Sequence, residues 1–379
     1  MAYKKLNYSV SNYFRPTGQR HKGLARSSGF TLVELMVALV LGIFLIGGIV
    51  SVYVSTQQNY KANENLARIQ ESARFAFDQL GREIRDEGIN PCGVKAVSSV
   101  VRDSSLAVPW WGAWDNGTLI GYEAGTVGAG VAFGTSVNER VSTTDAITVL
   151  RTSMDDADLR VIQSHDVDTV PTKSIVLNTI TGYDGANTKY VVLGCDLESG
   201  AIFETSATST SLSQIEYDSD SPSANCTSQL GWPQPADCSG SKTKTFTVGG
   251  LVTKFDPAFW YIGVNASGTR SLWRQRLTRK LGLASAEKVE MVTDVYDMQL
   301  EYLTRNKTLI ADALATTWVP ADDAKLTAAG GWTKSNNDEV VAVRVTLTFR
   351  SPDAIGTDGQ PLQRQTVAVI ALRNRDVKS

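Results

Sequence analysis

The stretch "SSGFTLVELMVALVLGIFLIGGIV", Ser27 to Val50, decides the fold. From Phe30 to Val50 it carries one charge, Glu34, in an otherwise apolar run that Val52 to Val54 extend. About 20 apolar residues suffice to cross a bilayer as a helix. No later stretch approaches that length, so the sequence predicts one membrane anchor and one large remainder. Lys4, Lys5, Arg15, Arg20, Lys22 and Arg26 precede the run, with no Asp or Glu among them. That bias puts the N-terminus in the cytoplasm and everything after about residue 55 across the membrane.

Helical spacing continues beyond the apolar run. Leu66, Ile69, Ala73, Phe77, Leu80 and Ile84 recur every three or four residues and share one face. Between them lie Lys61, Glu64, Arg68, Glu71, Arg74, Asp78, Arg82, Glu83 and Arg85, read as the solvated face. Glu64 with Arg68 and Asp78 with Arg82 stand four apart in the favourable order. Gly88 offers a left-handed cap and Pro91 blocks continuation in "DEGINPCG". One helix is therefore expected from about residue 30 to about residue 87, on the order of 85 Å long.

The remainder reads as β-rich. Runs with β-branched residues alternate with Gly, Pro, Asn, Asp and Ser clusters: "DAITVLRT", "SIVLNTI", "KYVVLGC", "KTFTVGG", "FWYIGVN" and "SLWRQRL". "EVVAVRVTLTFRS" and "RQTVAVIALRNRD" are expected to pair as a terminal hairpin. "VEMVTDVYDMQLEYL" is read as a strand entered from a short helical turn. Residues 196–250, rich in Ser, Thr, Asp, Gly and Pro, read as a decorated loop or small subdomain. The expected organisation is a basic leader 1–29, an apolar helix 30–54, an amphipathic continuation 55–88 and a β-rich domain 89–379.

Charge and chemistry narrow the function. Without the six leader cations, 31 basic residues face 39 acidic ones, a net of about −8 that argues against a general polyanion or nucleic-acid binder. The two histidines are His21, in the leader, and His165, in "QSHDVD", read as an exposed loop. One histidine outside the leader builds neither a His-based triad nor a multi-His metal site. "GYEAGTVGAGVAFG" lacks the spacing and context of a phosphate-binding loop and reads as flexible. "DSDSPS" and "DVYD" miss the calcium-loop spacing. No catalytic residue, metal or cofactor is expected. Cys92, Cys195, Cys226 and Cys238 follow the anchor, an even count on the far side of a membrane that suggests disulfides. The short Cys226–Cys238 loop favours that pair, leaving Cys92 with Cys195, although three connectivities stay open. Trp110, Trp111 and Trp114 in "PWWGAWDNG" are either a recognition surface for sugars or partners, or core packing.

"GFTLVELMVALVLGIFLIGG" resembles the N-terminal signature of type IV prepilins: Gly29 before the cut, Phe30 after it, and Glu34 at the fifth position of the processed chain. The remainder resembles the PilW family of minor pilins. The supports are "ARFAFDQLGREIRDEGINPCG", "DAITVLR", "YIGVNASGTRSLWR", "VEMVTDVYDMQLEYL" and the closing "VVAVRVTLTFRS…VIALRNR", with residues 95–260 covered only in pieces.

The resemblance implies an α+β, pilin-like fold, the long helix packed on an antiparallel β domain. It implies a prepilin peptidase that cuts between Gly29 and Phe30 and methylates the new amine. It further implies a non-enzymatic protein that primes a type IV pilus and sits at its tip, serving twitching motility, adhesion or DNA uptake. The implied partners are other minor pilins, the major pilin, a tip adhesin, the peptidase and the inner-membrane assembly platform. The implied location is the inner membrane, single pass, with a periplasmic body, and then the pilus. In that family the acid at Glu34 neutralises a terminal amine. Two alternatives stay open: the tip pseudopilin of a type II secretion system, or an adhesin-like module at the pilus tip. The leader is longer than those of this class, so either it is long or translation starts later, with Leu24 one such start.

Overall fold

The computed structural model describes residues 29–94, 96–103, 105–153, 159–163, 173–181, 183, 189–209, 213–219, 224–231, 238, 243–277, 286–308, 316–327, 331–332, 337–354, 356 and 359–373. Residues 1–28 of the leader and His165 fall outside them, as does most of "DSDSPS". Helix α1 spans Leu32–Arg85. Two compact units divide the chain after Asn59.

In the first unit the helix is apolar nearly all round as far as Val54, polar from Ser55 to Asn59, and exposed at every residue except the half-buried Gly42. In the second, Ile69, Ala73, Ala76, Leu80 and Ile84 form a buried stripe. The expected surface pairs form there, Glu64–Arg68 at 3.8 Å and Asp78–Arg82 at 3.1 Å. The helix stops where the sequence places its cap. Gly88 takes φ +64°, and its N–H donates to the Leu150 carbonyl at 2.8 Å. A Cβ at Gly88 would stand 2.9 Å from Thr118 Oγ1, so space and backbone both demand glycine.

Sixteen strands among the described residues form four sheets. A three-stranded antiparallel sheet holds β14 (Val295–Asn306), β15 (Asp338–Arg350) and β16 (Gln363–Ala371) in that order. The terminal hairpin is thus β15–β16. A five-stranded sheet has the order β13 (Ala286–Thr293), β12 (Arg270–Leu277), β11 (Ala258–Val264), β3 (Ala146–Val149), β2 (Leu119–Tyr122). These two sheets and the α1 stripe share one core, where Leu80 and Ile84 join Met298, Val343, Val345, Leu347 and Trp260.

A second core lies between two smaller sheets. One runs β1 (Val97–Ser99), β7 (Gly200–Glu204), β6 (Val191–Cys195), β10 (Leu251–Lys254), with β1 parallel to β7. The other runs β4 (Val161–Gln163), β5 (Lys173–Leu177), β9 (Gln214–Tyr217), β8 (Ala207–Ser209). Phe203, Tyr217, Ile175, Val192 and Phe246 meet between them. Residues 196–250 therefore supply three strands of a packed lobe, the small subdomain rather than the decorated loop of the two readings that the composition allowed.

Two strand expectations change. "VEMVTDVYDMQLEYL" is two strands in two sheets, not one strand with a helical lead-in. Asp294 at φ +63° breaks it, a conformation that Asp tolerates better than a β-branched residue. "KTFTVGG" forms no strand, because its residues serve the core individually. Phe246 is fully buried, and Lys244 reaches Asp196 Oδ2 at 2.7 Å.

Candidate functional site

The chemistry of the first helical turn starts at Thr31. Its hydroxyl accepts the Glu34 N–H at 3.2 Å, and Glu34 Oε2 accepts the Thr31 N–H at 3.2 Å. This reciprocal pair is a capping box, in which Thr31 and Glu34 satisfy backbone donors that a helix start leaves open. The Thr-x-x-Glu spacing in "TLVE" carries that signal. Gly29, Phe30 and Glu34 are all exposed, and Phe30 keeps 85% of its surface. Glu34 thus sits on an open turn above side chains such as Leu35, Phe44 and Ile46, each at least 60% exposed. Such a surface is stable in hydrocarbon or against other helices, not in water. The helix is long and apolar enough to cross a membrane.

A second carboxylate, Glu83, behaves oppositely. The periodicity assigns it to the solvated face, yet it is buried. Arg274 Nη2 approaches its Oε1 at 2.8 Å and Arg151 Nη2 at 3.2 Å, while Trp260 Nε1 donates to Oε2 at 2.5 Å. Asp256 binds the same two guanidiniums, at 3.0 Å from Arg274 and closely to Arg151. Burial works against the charge of Arg274, but Glu83 and Asp256 outweigh it and hold its pKa above the ordinary guanidinium value. The cluster fixes the helix against β11 and β12. No local pattern reveals it, because its members come from distant parts of the chain.

A third buried group organises "GYEAGTVGAGVAFG", which is not the flexible loop expected. Arg140 is fully buried and donates to the carbonyls of Thr126 and Thr144, each at 2.7 Å, which pins the segment. Burial brings Arg140 down to about 10. Nearby Asp145 is pushed up to about 7 by burial, although it accepts the N–H groups of Leu300 and Ala124.

The tryptophans divide. Trp111 and Trp114 are core residues, 5% and 6% exposed, packed with Val97, Leu193 and Phe255. They are not an exposed stacking surface, because the 3-10 turn Trp114–Asn116 and its neighbours fold them inward. Trp110 is half-buried, its ring 6.2 Å from that of Phe259. Disulfides join Cys92 to Cys195 and Cys226 to Cys238. Cys195 is buried in the core that holds Trp111.

An apolar, capped first half and an amphipathic second half seated on antiparallel sheets fit an α+β, pilin-like fold. The prokaryotic N-terminal methylation motif matches residues 24–50, around Gly29, Phe30 and Glu34. The family of type IV pilus-assembly protein W matches residues 259–375, which span β12 to β16 and nearly all of β11. These two stretches of the chain are similar to those of PilW-family type IV minor pilins. No curated protein and no solved structure matches it. Such a pilin works with other pilus components, and the apolar helix with its prepilin motif fits a single-pass membrane anchor.

Proposed function

We propose that the chain is a non-enzymatic minor pilin that helps start a type IV pilus and is carried at its tip. The observation that carries this reading is an exposed apolar first half of α1 headed by Glu34, the fifth residue of the processed chain. A prepilin peptidase cuts after Gly29 and methylates Phe30. The anchor holds the chain in the inner membrane with its body in the periplasm until neighbouring helices replace lipid around it. Cleavage leaves an amine at Phe30, with an unperturbed pKa near 8 in the range of α-amino groups, and the Glu34 carboxylate pairs with such an amine on a neighbour or on its own chain. The partners are the other minor pilins, the major pilin, a tip adhesin and the assembly platform. The outputs are adhesion, twitching motility or DNA uptake.

Mass spectrometry of the chain recovered from membranes and from sheared pili tests the reading. The expected product begins at N-methylated Phe30 in both fractions and is enriched at pilus ends by immunogold labelling. An unprocessed N-terminus, or a chain absent from pili, overturns it.

A further inference from the structure

We infer that the outer edge of β16 is a docking site for an extended strand of another protein, one that brings apolar side chains and a carboxylate. The inference rests on the reading that the chain assembles with other subunits.

The edge is open. β16 pairs with β15 in unbroken register from Ala342–Ala371 to Arg350–Gln363, and among the described residues no other strand adjoins it. Among the described residues, nothing bonds to the far side of Gln363–Ala371. An unpaired edge offers a row of backbone donors and acceptors to any extended chain. Soluble proteins guard such edges with lysines, prolines, bulges or covering elements. Here "TVAVIA", residues 366–371, has no charge and no proline, and its register shows no bulge.

The two sides of the edge state what fits. On the outer side Val367 and Val369 are 53% and 60% exposed. They stand opposite Thr346 and Arg344 of β15 and extend an apolar strip toward the vacancy. On the other side Ile370 packs against α1. A Cβ placed on Gly81 would lie 3.7 Å from Ile370 Cδ1 and 3.3 Å from Arg85 Nη2. The Arg85 guanidinium therefore lies beside the strand, exposed and without a carboxylate partner among the described residues. Arg364 and Arg373, both exposed, flank the strip at its two ends. A partner strand gains by placing valine-like residues on the outer face and a carboxylate toward Arg85. A second copy of this chain is a poorer occupant, because antiparallel pairing of two β16 edges sets Arg364 of each copy toward Arg373 of the other.

The test uses the full-length chain in detergent and a fluorescein-labelled octapeptide that alternates valine with glutamate and threonine. Saturable binding by anisotropy is expected, with slowed hydrogen exchange confined to β16. Arg85→Glu, Val367→Lys, or lysine for glutamate in the peptide should each weaken binding by roughly tenfold or more. Both positions are exposed, so the variants should melt like the parent. Absent binding, equal binding of the lysine peptide, or indifference to Val367→Lys overturns the inference. Dimerisation that Val367→Lys abolishes would replace the assigned occupant by a second copy and overturn it too. The assay needs no pilus, so its failure is separate from failure to enter pili.

Discussion

Helix α1 carries two glutamates under opposite conditions. Glu34 lies in the half where every side chain is exposed, and its contacts are local, with Thr31. Glu83 lies in the half that rests on the sheets, and its partners, Arg151, Arg274 and Trp260, are remote in sequence. The first acid leaves charge available to another molecule, whereas the second spends its charge inside the fold. On the proposed function, the same residue type serves assembly at one end and architecture at the other.

The sharpest way to break the contrast is at Glu34. Glu34→Ala should leave membrane insertion and cleavage intact yet lower incorporation into sheared pili by roughly tenfold or more, as expected when a charge in an apolar setting loses its partner. Glu34→Gln separates two explanations, because glutamine keeps the capping box and loses the charge. It should fail as alanine does, and full incorporation by quantitative immunoblot would assign the effect to the cap alone.

At Glu83 the expected effect is on stability. Glu83→Ala leaves Arg151 and Arg274 with Asp256 alone and should destabilise the body by about 3–5 kcal/mol in denaturant unfolding. An unchanged midpoint would show that the cluster relaxes around water. A smaller loss is expected where the helix ends. Gly88→Ala forces a side chain into the left-handed region against Thr118 and should cost about 1–3 kcal/mol by the same measurement.

The gentlest prediction concerns pH. Burial raises Asp145 from an ordinary 3.8 to about 7. A carboxyl with a raised folded pKa contributes stability that is fully present below 3.8 and lost as pH rises through about 7. Asp115, pushed up to about 6 by burial, acts in the same direction. The melting temperature should therefore fall from pH 5 to pH 8, and a rise over that interval would contradict the burial of both groups.

Much of this was readable from local pattern. The run from Phe30, the three-four spacing to Ile84 and the Gly88 stop define α1 within two residues at each end. Strands β11, β12, β15 and β16 follow from alternation and β-branched content. Glu83 escaped because periodicity counts any acid as solvated and cannot see two arginines arriving from distant parts of the chain, one in β12 and one just past β3. The turn at Asp294 escaped because alternation runs straight across it, and only its positive φ ends the strand. Arg140 escaped for a related reason. A glycine-rich segment looks loose until one buried guanidinium collects the carbonyls of Tyr122, Glu123 and Thr126. Glu34 itself was legible in position, but its bond to Thr31 was latent in the Thr-x-x-Glu spacing.

The Cys92–Cys195 bridge sets how the body answers a pull. It joins the segment just beyond α1 to β6 of the second lobe across 103 residues of sequence. Tension applied between the helix and that strand runs through a covalent shunt, so the chain between the two cysteines carries little of it. The strands inside that closed loop, β1 to β5, are shielded from unravelling, and the mechanical weak points move to the segments after Cys195.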